Sequence, residues 1–234
     1  MSEKPGTRSW EPIARAGLWA LPVWAVLLLV GTLTHQPPPQ TQLGAWSRYV
    51  TTPWFLASHL VASILGAAVG SVGLIALGVC LASAGRVRAG VWGMVLAVTG
   101  NILLTSLFGV AAFAQPAIGR LYLAGHTALA HVMYDGAAQG AWLVATGVAG
   151  AVLLAASLIV FGVAVARSGW LPRLAGIGLA VSGPLFAIVG VALDDFVETI
   201  AAVLLVACTA WIAAAARRAA PAEEASAGLA ELAR

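Results

Sequence analysis

The fold is decided by a stretch that runs from residue 53 to residue 90 and reads PWFLASHLVASILGAAVGSVGLIALGVCLASAGRVRAG. Thr52 precedes Pro53, and a hydroxyl N-cap followed by proline at the first helical position is a typical start of a helix. No charged residue interrupts the stretch before Arg86 and Arg88, which form a short basic turn. Because about 20 apolar residues suffice to cross the hydrocarbon core of a bilayer, residues 53–83 predict a transmembrane helix.

Five further apolar stretches flank this one, and together they predict an all-α fold. Hydrophobic residues make up 61% of the chain and charged residues 9%, with a mean hydropathy of +0.94. A soluble chain of 234 residues has too little polar surface to cover so much apolar side chain. We therefore expect a polytopic membrane bundle of about six transmembrane helices. The predicted spans are residues 17–34, 53–83, 91–115, 138–166, 174–193 and 199–216.

The charges predict the orientation of this bundle. Arg48 and Arg120 fall on one side of the spans, and the other ten of the twelve Lys and Arg residues fall on the opposite side. The positive-inside rule then predicts a cytoplasmic N-terminus (residues 1–16), a membrane domain (17–216) and a cytoplasmic tail (217–234). Basic residues placed singly or in pairs at span ends suit anionic lipid and do not favour a nucleic-acid-binding protein. The ten are Lys4, Arg8, Arg15, Arg86, Arg88, Arg167, Arg173, Arg217, Arg218 and Arg234.

The composition also indicates where the protein is located. Eleven of the twelve basic residues are Arg, and Ala and Gly are abundant, which is typical of a high-GC bacterial genome. The apolar run of residues 17–34 is longer than the core of a typical signal peptide, and no A-x-A-like site closes it. We expect it to be retained as the first span of a multi-pass protein of the bacterial plasma membrane.

The two outer segments differ in their predicted structure. The first follows residue 34, and its three consecutive prolines at 37–39 predict an extended path rather than a helix. The second, about residues 116–137, places apolar residues at helical spacing beside polar ones, which predicts a short helix lying at the membrane interface. Its apolar side is Tyr122, His126, Leu129 and Met133, and its polar side is Arg120, Thr127, His131 and Asp135.

Three carboxylates are expected at the outer end of the fifth span: Asp194, Asp195 and Glu198. Glu198 lies four and three residues after the two aspartates, which brings all three close together on a continuing helix. Carboxylates this close repel one another when charged, so at least one should hold a proton more readily than usual. Together with His59 they are candidate catalytic residues; the alternative is a solvated turn that keeps two spans at the surface.

The histidines form a second candidate group on the same side. His59 lies in the outer part of its span, and His131 and Asp135 have the i, i+4 spacing that lets two side chains share a ligand or a hydrogen bond. His35, His131 and Asp135 are candidate ligand-binding residues; the alternative is that they make ordinary hydrogen bonds at the interface. Cys80 and the other cysteine form no CxxC, and no HExxH spacing occurs, so the sequence commits to no metal site.

Polar and small residues inside the spans predict how the helices pack. Asn101 is the only amide near the membrane centre, and we expect it either to bond a neighbouring helix or to form the floor of a ligand pocket. The Gly66-x-x-x-Gly70 motif, with Gly73 beyond it, predicts close backbone approach, because lipid provides no hydrophobic drive between helices. Pro184 should kink the fifth span.

Three segments carry a family resemblance: GTLTHQP (31–37), YVTTPWFLASH (49–59) and FGVAAFAQP (108–116). Through them the chain resembles small, six-span, Ala/Gly/Arg-rich bacterial membrane proteins of unknown function, which implies the fold but no activity. In size and apolarity it is also similar to the integral-membrane terpene cyclases of meroterpenoid pathways. That similarity implies a role only for the acids at 194, 195 and 198, and the seven spans usual in those enzymes depart from the six predicted here.

Three functions remain open from the sequence, and none of them names a cofactor. The first is an outward-facing polar pocket that binds or transforms an apolar, lipid- or isoprenoid-like molecule by acid–base chemistry. The second is a non-catalytic membrane subunit that docks a protein partner through its outer loops. The third is a metal- or haem-dependent membrane redox protein. Membrane lipids are expected partners in every case. The first function adds a small apolar molecule, and the second adds a protein.

Overall fold

Helices account for nearly all of the structure, a computed structural model that describes residues 11–34, 38, 42–190 and 195–232. These residues contain no β-strand, which confirms the all-α prediction for the described part of the chain. Short turns at residues 18–19 and 139–140 interrupt two of the helical segments. In chain order the segments are α1 (Glu11–Thr34), α2 (Leu43–Val50), α3 (Pro53–Ser83), α4 (Val87–Leu123), α5 (Thr127–Ala166), α6 (Arg173–Val189) and α7 (Asp195–Leu232).

Five segments are long and apolar enough to cross a membrane. They are α1, α3, α4, α5 and the Phe196–Ala219 part of α7, whereas α6 is a shorter apolar helix. Helix α3 begins at Pro53 as predicted, and Thr52 is its N-cap: the Thr52 hydroxyl accepts a hydrogen bond from the Phe55 amide (3.2 Å). By length and composition, these five helices are compatible with a multi-pass membrane protein.

Glycines in the left-handed region make the tight turns between these segments. At Gly125, where φ is +91°, the His126 amide donates to the Leu121 carbonyl and the Gly125 amide to the Tyr122 carbonyl, both at 3.0 Å. This is a Schellman motif, which satisfies the last carbonyls of a helix and stops it. Gly85 ends α3 with the same pattern at φ +82°. A side chain with a Cβ is disfavoured at both positions.

The long segments form a closed bundle in which each packs against its neighbours. Around the bundle, each segment packs against the next in the order α1, α3, α4, α5, α6, α7 and back to α1. Small residues allow the approach, as expected: a Cβ added to Gly100 of α4 would lie 2.9 Å from the carbonyl oxygen of Gly150 in α5. A Cβ on Gly70 would lie 2.8 Å from the Trp24 ring. The glycines therefore allow direct backbone contact between α4 and α5 and leave room for the Trp24 ring between α1 and α3.

At one end of the bundle, called the cap end below, three short helices form a second layer. This helical cap consists of α2, the Gln115–Leu123 part of α4 and the Thr127–Met133 part of α5. The first and second of these helices meet at Gly119, where an added Cβ would lie 3.0 Å from the Ser47 carbonyl oxygen. The opposite end, where the turns carry Arg86, Arg167 and Arg173, is called the basic end.

The two outer segments contain more helix than the sequence predicted. In the first, the extended path at the prolines lies mostly outside the described residues, but residues 43–50 form helix α2, whose buried residues follow the i, i+3, i+4, i+7 pattern of an amphipathic helix. The second does not hold one interfacial helix: Gly125 divides it into two short ones. The chain also continues as a helix through Pro116, which comes two residues after the π-helical turn Val110–Ala114.

Within the described ranges, the backbone changes from α-helix to π-helix four times, always toward the cap end. The π-helical turns are His59–Leu65, Val110–Ala114, Tyr134–Ala138 and Leu185–Gly190. The last one begins directly after Pro184, the position expected to disturb this helix. Each π turn holds more residues than an α turn and redirects the side chains that follow, and such turns are frequent at functional sites.

Candidate functional site at the cap end

A set of hydroxyl groups joins four segments at the cap end. The Thr199 hydroxyl of α7 donates to the Thr32 hydroxyl of α1 (3.1 Å), and the Thr34 and Ser58 hydroxyls of α1 and α3 lie 3.1 Å apart. The Tyr49 hydroxyl of α2 donates to the Thr34 carbonyl (3.4 Å). These five residues form the hydroxyl layer, which lies at the outer limit of an otherwise apolar bundle.

His59 lies directly beside this layer and is buried. Its Nδ1 atom is 2.9 Å from the Phe55 carbonyl oxygen, and because a carbonyl only accepts, Nδ1 must carry the proton. The neutral ring then presents Nε2 as its acceptor. The ring packs on Phe55 (centroids 4.2 Å apart), which in turn contacts Tyr49 edge-on at 5.3 Å. The side chain expected to do acid–base work is thus held in one orientation by an aromatic stack.

Of the acidic candidates at 194, 195 and 198, only Glu198 has a side chain in the described part of the structure. Glu198 lies half-buried in the first turn of α7, immediately before Thr199 of the hydroxyl layer. Asp195 is the first residue of α7, and its side chain lies outside the described part, as does the whole of Asp194. His35 also lies outside the described residues, directly after Thr34.

His131 and Asp135 lie on the helical cap and are both exposed. No hydrogen bond or ion pair joins these two described residues. A π-helical turn begins at Tyr134, between them, so the i, i+4 geometry of a regular helix is lost. The His131 ring instead contacts Tyr122 edge-on, with centroids 6.1 Å apart. Within the described ranges, no three His, Cys, Asp or Glu side chains lie close enough together to share a metal ion.

Asn101 makes the bond between helices that was one of its two expected roles. Its buried amide in α4 donates to the Ser71 hydroxyl (3.0 Å) and to the Ala67 carbonyl (3.4 Å), both in α3. The Ser71 hydroxyl itself donates to the Ala67 carbonyl at 2.9 Å. Ser157 makes a similar link from α5 to the Gly93 carbonyl of α4 (2.9 Å), which sequence reasoning did not single out.

The core of the helical cap was also missed from the sequence. Trp46 and Tyr134 are buried and meet edge-to-face with centroids 4.8 Å apart. The signal was present in α2, where the apolar residues Leu43, Trp46 and Val50 recur at helical spacing. The cap core comprises Leu43, Trp46, Val50, Phe55, Ala111, Ile118, Ala130, Tyr134 and Ala138.

Exposed aromatic side chains lie at two levels of the bundle. At the cap end, one such side chain lies at the beginning of each of three helices: α3, the long helix in α5, and α7. Three more lie toward the basic end. Trp and Tyr belts of this kind are typical of the two headgroup regions of a bilayer. The first group is Trp54, Trp142 and Phe196, and the second is Trp19, Trp92 and Trp211.

Comparison of the chain with protein-family models, with curated proteins and with solved structures found no match. The arguments for function consequently come from this chain's own residues and their geometry.

Proposed function

We propose that the chain crosses the plasma membrane six times, with the basic end and both termini in the cytoplasm and the helical cap outside. The sixth crossing is α6, because it packs between α5 and α7 and begins at Arg173 of the basic end. Ten basic residues on one side support this orientation, and two levels of exposed aromatic residues support placement in a bilayer. The 12 residues of Arg173–Pro184 and the 6 of the following π-helical turn give α6 about the shortest length that crosses a membrane.

On this topology, we propose that the protein is a non-catalytic membrane subunit that docks a protein partner through its helical cap. The observation that carries this proposal is the aromatic cap core, to which both outer segments contribute. Mere connections between spans need no core of their own, and a rigid scaffold for exposed side chains is typical of a recognition surface. His59 and Asn101 support it indirectly, since each already makes a hydrogen bond that has a structural purpose.

The docking surface is proposed to lie on the Thr127–Met133 helix. Every residue of this helix except Ala130 is exposed, and Leu129 and Val132 are 51% and 70% exposed. His131 and Asp135 lie beside them and add polar groups to the apolar ones. An apolar centre with a polar rim is the usual composition of a protein interface.

Site-specific photo-crosslinking in cells tests this proposal. A photoreactive amino acid at Val132 should crosslink to one protein, and Leu129→Asp should abolish that product. The same amino acid at Arg48, exposed on another helix of the cap, is the control and should not give the product. Crosslinks to lipid alone would contradict docking and assign the helix to the membrane surface.

A second candidate function is the binding or transformation of an apolar molecule at the cap end. The hydroxyl layer favours it, because His59 and Glu198 adjoin it and the four π-helical turns lie toward the same end. In this role His59, Asp194, Asp195 and Glu198 would handle protons at a pocket open to the outer leaflet.

Analysis of molecules that copurify with the protein distinguishes this candidate. If it holds, Glu198→Gln and His59→Gln should each remove the bound apolar molecule, while the protein keeps its helix content. If the residues only join helices, the extracted molecules should be the same in the wild type and in both variants.

A further inference from the structure

A groove of about 520 Å³ lies between α5 and α6 at the basic end, away from the candidate site. It forms where α5 and α6 approach most closely: a Cβ on Gly162 would lie 2.5 Å from the Gly176 carbonyl oxygen. Small residues at such a contact leave a furrow along the outer surface of the pair. The apolar lining consists of Gly162, Val163, Ala166, Ile177, Ala180 and Val181.

The branched side chains of this groove face outward from the bundle. Val163, Ile177 and Val181 are 40%, 44% and 47% exposed, on helices that are apolar enough to lie in lipid. The groove therefore opens toward the hydrocarbon of the surrounding bilayer.

Two arginines line the groove at its basic end. Arg167 and Arg173 are both exposed, and neither makes an ion pair with any residue that the structure describes. The Arg86 guanidinium donates to the Arg167 carbonyl, which brings a third positive charge to the same corner. A cluster of guanidinium groups without carboxylates favours a phosphate group as its partner.

We propose that this groove is a binding site for one anionic phospholipid. The phosphate contacts Arg167 and Arg173, and an acyl chain lies along the apolar lining. A free phosphate would contact only the two arginines, whereas a phospholipid contacts both the arginines and the apolar lining. The combination of charge and exposed apolar lining therefore favours the lipid. The site needs only the groove and its arginines; its assignment to the inner leaflet rests on the proposed topology.

Native mass spectrometry of the full chain in detergent tests the site with two synthetic probes. These are phosphatidylglycerol and phosphatidylcholine with identical acyl chains. The wild type should bind one molecule of phosphatidylglycerol more tightly than one of phosphatidylcholine. The double substitution Arg167→Gln with Arg173→Gln should weaken the binding of phosphatidylglycerol about tenfold, as expected for losing two arginine contacts at a lipid headgroup. The matched control, Arg217→Gln with Arg218→Gln, removes equal charge at the end of the apolar Phe196–Ala219 part of α7 and should leave the binding unchanged.

Two further measurements separate the lipid from a free anion. Val181→Trp should fill the apolar part of the groove and reduce the binding of both lipids, and inorganic phosphate should fail to displace phosphatidylglycerol at equal concentration. Unchanged phosphatidylglycerol binding in the Arg167/Arg173 variant would overturn the proposal, as would an equal loss in the control variant or displacement by phosphate. Because these readouts are made in detergent, they do not depend on which side of the membrane the groove faces.

Discussion

The bundle and the helical cap bury their aromatic side chains in different ways. In the bundle, Trp24 and Phe161 each lie against a glycine: a Cβ would approach the Trp24 ring to 2.8 Å from Gly70 and the Phe161 ring to 2.5 Å from Gly93. In the cap, Trp46 meets another aromatic ring, that of Tyr134. The two cores are separate clusters of buried residues in the described part of the chain.

On the topology proposed above, the difference follows from the solvent that surrounds each core. Between helices in lipid, burial of apolar surface provides no net drive, so stability comes from close backbone contact and a few polar bonds. In water, burial of large aromatic surfaces is itself the main favourable term. The stability of the cap should therefore depend on the size of its buried side chains. The stability of the bundle should depend on the glycines at the helix contacts.

The largest expected effect is in the cap. Trp46→Ala should destabilise the cap by about 3–5 kcal/mol, the usual cost of removing a buried Trp or Phe side chain, and leave the bundle folded. Hydrogen exchange should accelerate in Leu43–Val50, Gln115–Leu123 and Thr127–Met133 and stay slow in Ala141–Ala166, the long helix of α5. Trp54→Ala, at a 60% exposed position, is the control. Loss of protection in the bundle as well would show that the two cores are one cooperative unit.

A smaller effect is expected from adding one methyl group in the bundle. Gly162→Ala should cost about 1–3 kcal/mol, because the new Cβ meets backbone atoms of α6 that cannot move independently. Gly109→Ala, where nothing lies within 4 Å of the added Cβ, should be neutral or stabilising by up to about 1 kcal/mol. Thermal unfolding in one detergent compares the pair. Equal losses in both variants would contradict the close-contact account.

The smallest effect concerns the polar bond between α3 and α4. Asn101→Leu should cost about 1 kcal/mol or less, because Ser71 keeps its own bond to the Ala67 carbonyl when the amide is removed. A double-mutant cycle with Ser71→Ala measures the coupling between the two side chains. A coupling near zero would show that the 3.0 Å contact contributes nothing to stability.

The sequence was sufficient for the features that depend on local chemistry. Uninterrupted apolar runs predicted the long helices, Thr52 and Pro53 predicted the beginning of α3, and Gly70 and Gly73 lie at close helix contacts as their motif indicated. These features need only neighbouring residues or the absence of a side chain.

The features that were missed depend on residues far apart in the chain. The cap core joins Trp46 to Tyr134, and the hydroxyl layer joins Thr32 to Thr199. A single sequence contains no signal for either pairing. The joint role of His131 and Asp135 stays a prediction, and its i, i+4 spacing assumes an α-helix where the backbone forms a π turn. The grouping of the acids at 194, 195 and 198 stays a prediction.

Cysteine labelling in intact cells tests the central claim most directly, namely that the cap faces the exterior and the basic end the cytoplasm. The native Cys80 and Cys208 are buried and can be replaced by alanine, leaving single cysteines at Thr127 or Ser168. We expect a membrane-impermeant maleimide to label Thr127→Cys from outside and Ser168→Cys only after permeabilisation. Labelling of Ser168→Cys in intact cells, with Thr127→Cys protected, would contradict the orientation and place the cap in the cytoplasm.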